Sequence, residues 1–564
     1  MIDLWYKDAI IYSLDVDSFQ DSDGDGIGDF RGLGERLDYL SSLGVTCLWL
    51  LPFYPSPNRD NGYDVMDYYG IDPRLGSLGD FVEFMHKARE RGIRVLVDLV
   101  VNHTSDQHPW FQAARQSKDS PYRDYYIWSD TLPENAHEGM VFPGYQDAVW
   151  DWDEAAQAYY FHRFYAHQPD LNISNPEVRE EICKIMGFWL ELGVSGFRVD
   201  AAPFLIEMKG AAAKPGEDHY DYLREFRDFL SWRRGDAILL AEANVSRDKV
   251  CEYFGDDAKI QMLFSFLLNQ HLFLALARQQ AEPLVRGMRL PPVPPPTGQW
   301  ANFLRNHDEL DLGRLTPEER QEVFQAFAPD PSMQLYERGI RRRLPPMLGI
   351  KPGIKPGIEP GIEPGGDRRR LEMAYSLMFS LPGTPVLRYG EEIGMGDDLS
   401  LPERESVRTA MQWSTERNSG FSTAPPDRLA RTAIAGGPFG YEAGVDVENQ
   451  QREAGSLLHW MERLIRTRKQ CPEIGWGTWE ILETGDPAVF AHRCTWSGGT
   501  VVAVHNLADR PAAVRIDLKE QHQEKLVELL GDQPYKLVEV GAQIDLEPYG
   551  YRWFRIGGAR RFLF

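Results

Sequence analysis

The sequence of 564 residues is 43% hydrophobic and 12% aromatic, which is enough for a large core and more than one domain. Its 61 lysines and arginines against 85 aspartates and glutamates give a formal charge of -24, which repels nucleic-acid phosphates and anionic membranes. The start MIDLWYKDAIIY lacks the regions of a secretion signal, no apolar run reaches membrane-spanning length, and the five cysteines lack metal-site spacing. We therefore expect a cytoplasmic protein with reduced thiols and with neither a nucleic-acid nor a membrane partner.

The first apolar run, AIIYSL, is followed by the acidic loop DSDGDGIGD. Aspartates at loop positions one, three, five and nine, with a backbone carbonyl at seven, match a calcium-binding loop, and the ligands would be Asp21, Asp23, Asp25, Ile27 and Asp29. A calcium sensor is disfavoured, because position twelve is Gly32 and the preceding run is strand-like. The pattern favours a structural ion, with a metal-free acidic turn as the alternative.

Short apolar runs alternate with helix-like stretches along most of the chain. The helix-like stretches carry start and stop signals, as in SLGDFVEFMHKARERG, which begins with serine and ends with glycine. The apolar runs are AIIYSL, TCLWLLPF, IRVLVDLVV, SGFRVDA, AILLAEA, IQMLFSF, ANFLRNHDE and TPVLRYGEE. About eight such alternations predict an α/β protein with a parallel (β/α)8 TIM barrel, in which chemistry is built at the carboxyl ends of the strands.

Two stretches depart from this alternation. Residues 105–169, rich in Trp, Tyr, Asp and Pro, are too long for a βα loop and predict an inserted subdomain after strand 3. Short alternating runs such as TVVAVHNL and YGYRWFRI predict a C-terminal antiparallel β-sandwich over 476–564, which leaves 1–104 and 170–475 for the barrel. The insert IKPGIKPGIEPGIEPG, 350–365, excludes helix and regular strand and favours a solvated loop, with an oligomer contact as the alternative.

Three carboxylates stand at strand ends: Asp200, Glu242 and Asp308. Arg198, two residues before Asp200, projects to the same side and would hold Asp200 ionised as a nucleophile. Glu242 follows an apolar run, where desolvation would keep a proton available for a leaving group. Carboxylates acting in this way on a sugar are typical of a glycosidase, whose stereochemistry depends on their separation in space. Singly, each could instead be an ion-pair or capping residue.

Four segments, in order, carry a resemblance: DLVVNH, GFRVDAA, LLAEAN and FLRNHD. They resemble the signature segments of the α-amylase family, glycoside hydrolase family 13. The resemblance covers essentially the whole chain and implies the barrel, the inserted subdomain, the C-terminal β domain and a retaining mechanism. It implies Asp200 as nucleophile, Glu242 as acid/base and Asp308 as transition-state stabiliser. It also implies a first sugar subsite with Arg198, His103 and His307.

Further segments narrow the branch of the family. RDNGYDVMDYY resembles the loop whose aspartate and tyrosine, here Asp60 and Tyr63, bind a terminal glucose, and VRTAMQW supplies Arg408 as the partner of that aspartate. HQPDLN is typical of oligo-glucosidases and trehalose synthases, and Ala201 after the nucleophile favours α-1,4 bonds. SLDVDSF, Ala410 and the Pro-Gly repeat depart from the trehalose synthase pattern.

The resemblance also implies metal sites. The loop from Asp21 to Asp29 would hold a structural calcium or magnesium ion. A second calcium would be held by Asn102, Asp170 and Glu207, together with the backbone oxygens of Phe204 and Leu205. No organic cofactor is expected.

Retaining glucosyl transfer on maltose or a similar α-1,4-glucoside is therefore the predicted function. Isomerisation of maltose to trehalose leads, and hydrolysis by an α-glucosidase or amylase is the alternative. A carbohydrate-binding barrel without catalysis is a third interpretation, against which the complete set of Asp200, Glu242 and Asp308 stands. The expected partner is a small sugar, and a homo-oligomer is left open.

Overall fold

The computed structural model describes residues 3–210, 218–349, 366–518, 526–539, 541 and 543–556, so the repeat at 350–365 lies outside the described residues. The β-strands within these ranges are β1 Ile11–Leu14, β2 Cys47–Leu50, β3 Arg94–Leu99, β4 Trp128–Ser129, β5 Trp150–Asp153, β6 Ala158–Phe161, β7 Gly196–Val199, β8 Ile238–Ala241, β9 Met262–Phe264, β10 Gln299–Phe303, β11 Leu310–Asp311, β12 Gln334–Leu335, β13 Gly339–Ile340, β14 Thr384–Arg388, β15 Thr478–Leu482, β16 Val489–Trp496, β17 Gly499–Asn506, β18 Ala512–Arg515, β19 Leu526–Gly531, β20 Gln543–Leu546 and β21 Tyr551–Ile556.

The α-helices of the described residues are α1 Phe30–Glu35, α2 Leu37–Leu43, α3 Leu78–Glu90, α4 Pro109–Gln116, α5 Pro176–Glu191, α6 Ala202–Leu205, α7 Asp221–Arg233, α8 Arg247–Phe254, α9 Phe266–Arg278, α10 Glu282–Arg289, α11 Pro317–Phe327, α12 Leu344–Leu348, α13 Gly366–Ser380, α14 Val447–Arg452, α15 Leu457–Lys469 and α16 Pro472–Trp476. The predicted helix starts are confirmed. Ser77 and Asp80 form a capping box on α3, and Asn175 caps α5 ahead of Pro176. Within the described residues, no helix is both long and apolar enough to cross a bilayer.

A closed barrel of eight parallel strands confirms the predicted fold. Its order is β1-β2-β3-β7-β8-β9-β10-β14, with β14 paired to β1. Each strand overlaps one of the eight apolar runs, although β10 begins at Gln299, two residues before its run. Alternate side chains explain why these runs are apolar throughout: Ile11 and Trp49 point into the barrel, whereas Tyr12 and Leu48 pack in the larger core outside it. The polar residues that follow these strands therefore meet at one end of the barrel.

The segment between β3 and β7 carries its own small sheet, in the order β4-β6-β5, as well as α4. Its two ends are joined at the barrel mouth by two backbone hydrogen bonds. The N–H of Thr104 donates to the carbonyl of Pro169 at 3.1 Å, and the N–H of Leu171 donates to the carbonyl of Asn102 at 2.9 Å. The segment thus leaves and re-enters beside β3. The predicted limits of this subdomain, 105 and 169, stay predictions.

Two antiparallel sheets form the C-terminal unit, one ordered β15-β16-β17-β21-β19 and the other β18-β20. Residues of both sheets contribute to one apolar cluster, for example Val502 and Phe554 from the larger sheet and Val514 and Ile544 from the smaller. Apolar side chains between two antiparallel sheets are the arrangement of a β-sandwich, as predicted.

Candidate active site

A pocket of about 690 Å³ opens at the carboxyl ends of the barrel strands. Six of the predicted catalytic and sugar-binding residues line it: Asp60, Tyr63, His103, Asp200, Glu242 and Asp308. Three others, Arg198, His307 and Arg408, lie behind this lining, and each is no more than 1% exposed. The structure therefore brings the predicted catalytic and sugar-binding residues into one site, with the cations and the imidazole as buried support.

Arg198 joins the carboxylates of three neighbouring strands. Its Nη1 donates to Asp200 Oδ1 at 2.5 Å and to Asp98 Oδ1 at 3.1 Å, and its Nη2 donates to Glu242 Oε2 at 2.8 Å. Because one planar guanidinium contacts both Asp200 and Glu242, these two carboxylates are held next to each other at the pocket. Retaining glycosidases place their two carboxyl groups about 5 to 5.5 Å apart.

Burial raises the pKa values of the three carboxyl groups that contact Arg198. Desolvation raises the pKa of Asp200 to about 7, although Arg198 lowers it, and raises the pKa of Glu242 to about 7 in the same way. Asp98, fully buried behind them, has a pKa of about 6 for the same reason. The sequence predicted that Arg198 would hold Asp200 ionised, but the loss of solvation on burial outweighs the charge of Arg198. Three carboxyl groups sharing one cation instead retain a proton near neutral pH.

The pKa of Asp308 is shifted downwards, in contrast to the raised pKa values of Asp200 and Glu242. Its Oδ1 accepts from Arg404 Nη1 at 3.0 Å and from Arg408 Nη2 at 3.0 Å. Burial raises its pKa, but the charges of Arg404 and Arg408 outweigh burial, so the pKa lies well below its usual range. Asp308 is therefore a carboxylate under all ordinary conditions. Burial lowers the pKa of His307, which leaves that imidazole neutral.

The arginine that pairs with Asp60 is Arg404, whose Nη2 lies 2.9 Å from Asp60 Oδ1. The prediction that Arg408 is the partner of Asp60 was wrong. Arg408 instead donates from Nε to the carbonyl of His307 at 2.9 Å and from Nη2 to Asp308 at 3.0 Å, so two of its nitrogens are directed at the FLRNHD segment. Arg404, one turn earlier, reaches Asp60 and Asp308 together and closes one side of the pocket.

Two aromatic groups complete the sugar-facing wall. The Tyr63 ring stacks on His307, with a 5.7 Å centroid distance and a 5° interplanar angle, and its hydroxyl donates to Asp98 Oδ2 at 2.9 Å. His103 Nε2 lies 3.0 Å from the carbonyl of Tyr63. Each ring is fixed by a buried neighbour, so this wall is preorganised.

The residue after Asp200 adopts a strained backbone conformation. Ala201 has φ 46° and ψ 39°, in the left-handed region, and its N–H lies 3.2 Å from Glu242 Oε2. A non-glycine residue held there costs about 1 kcal/mol or more and needs compensating contacts. The turn aims Asp200 into the pocket and ties β7 to β8 at the catalytic pair.

Several pocket residues were missed by the sequence analysis. Arg404 and Glu309 are the main ones, and Phe142 and Phe164 of the inserted segment also line the pocket. Burial raises the pKa of Glu309 to about 7, and its nearest cation is Arg338, 3.7 Å away. Its position directly after Asp308 was the only available signal.

The acidic loop forms a compact cluster, as predicted. Within the described part of the chain, carboxylate oxygens of Asp21, Asp23 and Asp29 lie within 4.8 Å of one another. Asp21 also accepts from Ser422 at 2.6 Å, which clasps the loop to a distant segment. Burial and the neighbouring aspartates raise the pKa of Asp25. Such a set of oxygens fits a hard cation; Asp25 and Ile27 as further ligands stay predictions.

The second predicted metal site does not fit a calcium ion. Lys209 places its ammonium 2.7 Å from Asp170 Oδ2 and 2.7 Å from Asn102 Oδ1, and the side chain is 2% exposed. Its Nζ also lies 3.4 Å from the carbonyls of Asn102 and Leu171. Glu207, another predicted ligand, pairs with Arg163 at 2.7 Å. The ammonium of Lys209 therefore occupies Asn102 and Asp170 in place of the predicted calcium, whereas the backbone oxygens of Phe204 and Leu205 as ligands stay predictions.

The fold and the site together define an enzyme that uses buried carboxylates on glycosidic bonds. The chain belongs to the α-amylase family. The model described as alpha amylase, catalytic domain, matches residues 11–320 and 365–477. A second, described as sucrose hydrolase-like, C-terminal domain, matches residues 498–555.

Individual relatives span nearly the whole chain. A trehalose synthase from Pimelobacter sp. (strain R48) is 41% identical over 98% of this chain and 96% of its own length. A trehalose synthase/amylase from Mycobacterium tuberculosis (strain ATCC 25618 / H37Rv) is 40% identical over 98% of this chain and 90% of its own length. The crystal structure of the trehalulose synthase MutB from Pseudomonas mesoacidophila MX-45 superposes with a TM-score of 0.75 at 25% identity, covering 98% of this chain and 99% of that one.

Proposed function

We propose that this enzyme isomerises maltose to trehalose by intramolecular glucosyl transfer with retention. The observation that carries the proposal is the bridge from Arg198 to both Asp200 and Glu242, at the base of a pocket that Asp60 and Arg404 close on one side. The similarity of the whole chain to proteins named trehalose synthase supports the choice of substrate.

The first half of the reaction breaks the bond of maltose. An Asp200 oxygen attacks C1 of the non-reducing glucose, the C1–O4 bond breaks, and Glu242 gives its proton to O4 of the departing glucose. Because Asp200 and Glu242 have raised pKa values and share Arg198, the pair holds one proton near neutral pH. In the reactive form this proton is on Glu242, while Arg198 stabilises the carboxylate of Asp200.

The second half forms trehalose. The released glucose stays in the pocket, turns, and attacks C1 of the glucosyl-enzyme with its anomeric hydroxyl. Glu242 takes the proton of that hydroxyl, a C1–O1 bond forms, and Asp200 leaves as a carboxylate. Every atom of maltose is thereby recovered in trehalose, and the enzyme returns to its starting protonation.

The remaining site residues stabilise and orient the first sugar. Asp308, ionised throughout, faces the positive charge that develops at C1 in the transition state. Asp60, Tyr63 and His103 line the pocket beside it and bind the sugar hydroxyls. Arg198, His307 and Arg408 act from behind the wall, where they fix the acids and the ring of Tyr63.

Hydrolysis is the second candidate. If water reaches the glucosyl-enzyme before the retained glucose turns, the same carboxylates release glucose, and fold and site do not separate the two outcomes. The mycobacterial relatives carry both names, trehalose synthase and amylase. We propose isomerisation as the main reaction because relatives that match nearly the whole chain at about 40% identity are named trehalose synthase.

A structural calcium ion, or magnesium, would be held by the acidic loop, with Asp21, Asp23 and Asp29 as ligands and Asp25 and Ile27 in support. Its role there would be to neutralise the three clustered carboxylates. The donor set of carboxylates and a backbone carbonyl supports a hard cation. The loop is distant in sequence from the acids, and no catalytic step needs the ion.

We further propose that a small sugar is the partner of this protein in the cytoplasm, without an organic cofactor. The net charge of -24 supports the absence of nucleic-acid and anionic membrane partners. A division into a barrel of residues 1–104 and 170–475, an insert of 105–169 and a C-terminal unit of 476–564 is consistent with the separate sheets. A homo-oligomer is compatible with this architecture.

The test is incubation of the purified enzyme with maltose alone, followed by NMR of the anomeric protons. Trehalose in excess over glucose is the expected result. Glucose as the main product would make the enzyme a hydrolase, and no change in maltose would overturn the substrate assignment.

A further inference from the structure

Two loops at the pocket wall are joined by two neighbouring side-chain contacts, an ion pair and a hydrogen bond. Asp60 and Asn61 are consecutive in one loop, and Arg404 and Glu405 are consecutive in the other. Asp60 pairs with Arg404 at the pocket wall, and Asn61 Nδ2 donates to Glu405 Oε1 directly behind it. The geometry of the ion pair at the wall therefore depends on a second contact that the sugar does not touch.

Arg431 completes this second contact from a third segment of the chain. Its guanidinium forms an ion pair with Glu405 and donates to Asn61 Oδ1, and its Nε lies 3.2 Å from Asp17 Oδ2. The side chain is 11% exposed. Arg431 does not line the pocket, yet it satisfies both residues that adjoin the ion pair at the wall.

The backbone on both sides of Arg431 is fixed. The N–H of Ala430 donates to Gly26 in the acidic loop at 3.0 Å, and the carbonyl of Thr432 accepts from Ala410 at 3.0 Å. A long side chain anchored on both flanks loses little further freedom when it binds, so its contacts are rigid. Asp17 also belongs to the SLDVDSF stretch, the departure from the trehalose synthase pattern, and it balances the charge of Arg431.

The loop that carries Arg404 needs such restraint. Glu403, its other neighbour, has φ 39°, in the left-handed region, and its carboxylate accepts from Tyr165 at 2.7 Å and from Tyr336 at 2.6 Å. A strained residue of this kind persists only where surrounding contacts over-determine it. Both chain neighbours of Arg404 are thus held in place. The two tyrosines bind Glu403, and Asn61 and Arg431 bind Glu405.

We infer that Arg431 is a positioning residue that keeps Asp60 and Arg404 closed over the first sugar, and that it thereby determines how much glucosyl-enzyme is lost to water. This inference rests on the proposed isomerisation. Without Arg431, the half-buried carboxylate of Glu405 keeps only Asn61 and an arginine, Arg408, 3.8 Å away, and the loop can open. Water then competes with the retained glucose for C1.

The test measures the ratio of glucose to trehalose formed from maltose by Arg431→Gln. We expect this ratio to rise by about tenfold, with a higher KM and a smaller change in kcat for total maltose consumption, as for the loss of one charged hydrogen bond. Asn61→Gly removes the other contact while tolerating the positive φ of 49° at that position, and should raise the ratio in the same direction.

Arg468→Lys is the matched control. Arg468 is 1% exposed and donates to the carbonyls of Gly383 at 2.9 Å and Cys471 at 3.3 Å, outside the pocket, so this variant should lose stability without a change in the product ratio. An unchanged ratio in folded Arg431→Gln, or in Asn61→Gly if the first variant does not fold, would overturn the inference. Absence of trehalose with the unaltered enzyme would instead overturn the proposed function.

Discussion

Replacement of Lys209 by methionine tests whether an ammonium group stands in for a metal ion at the barrel mouth. The side chains of Lys209 and Asp170 are 2% and 0% exposed, and their charged atoms are 2.7 Å apart. Removing one partner of such a buried pair costs about 3–5 kcal/mol. Asp170 keeps two other donors, the N–H of Arg163 at 2.8 Å and Asn102 Nδ2 at 3.1 Å, so we expect the lower end, about 3 kcal/mol.

The assay is urea unfolding followed by fluorescence, with the midpoint and slope of the first transition compared between variants. Lys118→Met is the matched control, because Lys118 makes an ion pair of 2.9 Å with Asp130 while the two side chains are 64% and 77% exposed. A surface pair of this kind is worth less than about 1 kcal/mol, so the control should barely shift the midpoint.

Calcium should then distinguish the variant from the unaltered enzyme. With the ammonium gone, Asn102 and Asp170 can accept a cation, and saturation at about 100 times Kd would restore about 2.7 kcal/mol. The acidic loop contributes equally to both proteins, so the difference between their calcium responses is the relevant quantity. Equal calcium responses, or a loss in Lys209→Met no larger than in Lys118→Met, would refute the reasoning.

Three further predictions concern the catalytic pair and the pocket wall. Glu242→Gln should lower turnover of maltose by about 10²- to 10⁴-fold in steady-state assays, and normal turnover would remove Glu242 from its role. The pKa of Glu242 is about 7 in the folded enzyme and about 4.5 in the unfolded chain, so its ionisation lowers stability as pH rises between these values. Glu242→Gln should therefore raise the melting temperature at pH 8 and not at pH 4. A higher melting temperature at both pH values would contradict the pKa shift. Arg404→Lys, which keeps the charge but not the fork that joins Asp60 to Asp308, should raise KM for maltose; an unchanged KM would show that the bidentate contact is dispensable.

The barrel and the position of its strand-end carboxylates in the pocket could be predicted because the signals are local. Each barrel strand is a short run that is buried on both faces, as Ile11 to Leu14 shows, so apolar residues predominate in it. Asp200 and Glu242 follow such runs directly, and parallel strands place their carboxyl ends together. The acidic loop has the same property, since Asp21, Asp23 and Asp29 come together within nine residues.

Contacts between distant segments could not be predicted in this way. Asp60 is 344 residues from Arg404 in the sequence. Arg404 and Arg408 lie only four residues apart, so either could have been its partner. Only the packing of Arg408 against the carbonyl of His307 decides between them. Lys209 lies 107 residues from Asn102, and a lysine at that position carries no sequence pattern that marks it as buried.

The central claim is that maltose is rearranged without release of its glucose. The most direct measurement follows conversion of unlabelled maltose in the presence of excess ¹³C-labelled glucose, with trehalose analysed by mass. An enzyme that holds the departing glucose behind Asp60 and Arg404 should form unlabelled trehalose at first, with label entering only slowly. Trehalose labelled from the start in proportion to free glucose would contradict the account, because the glucosyl group would then pass to an acceptor from solution.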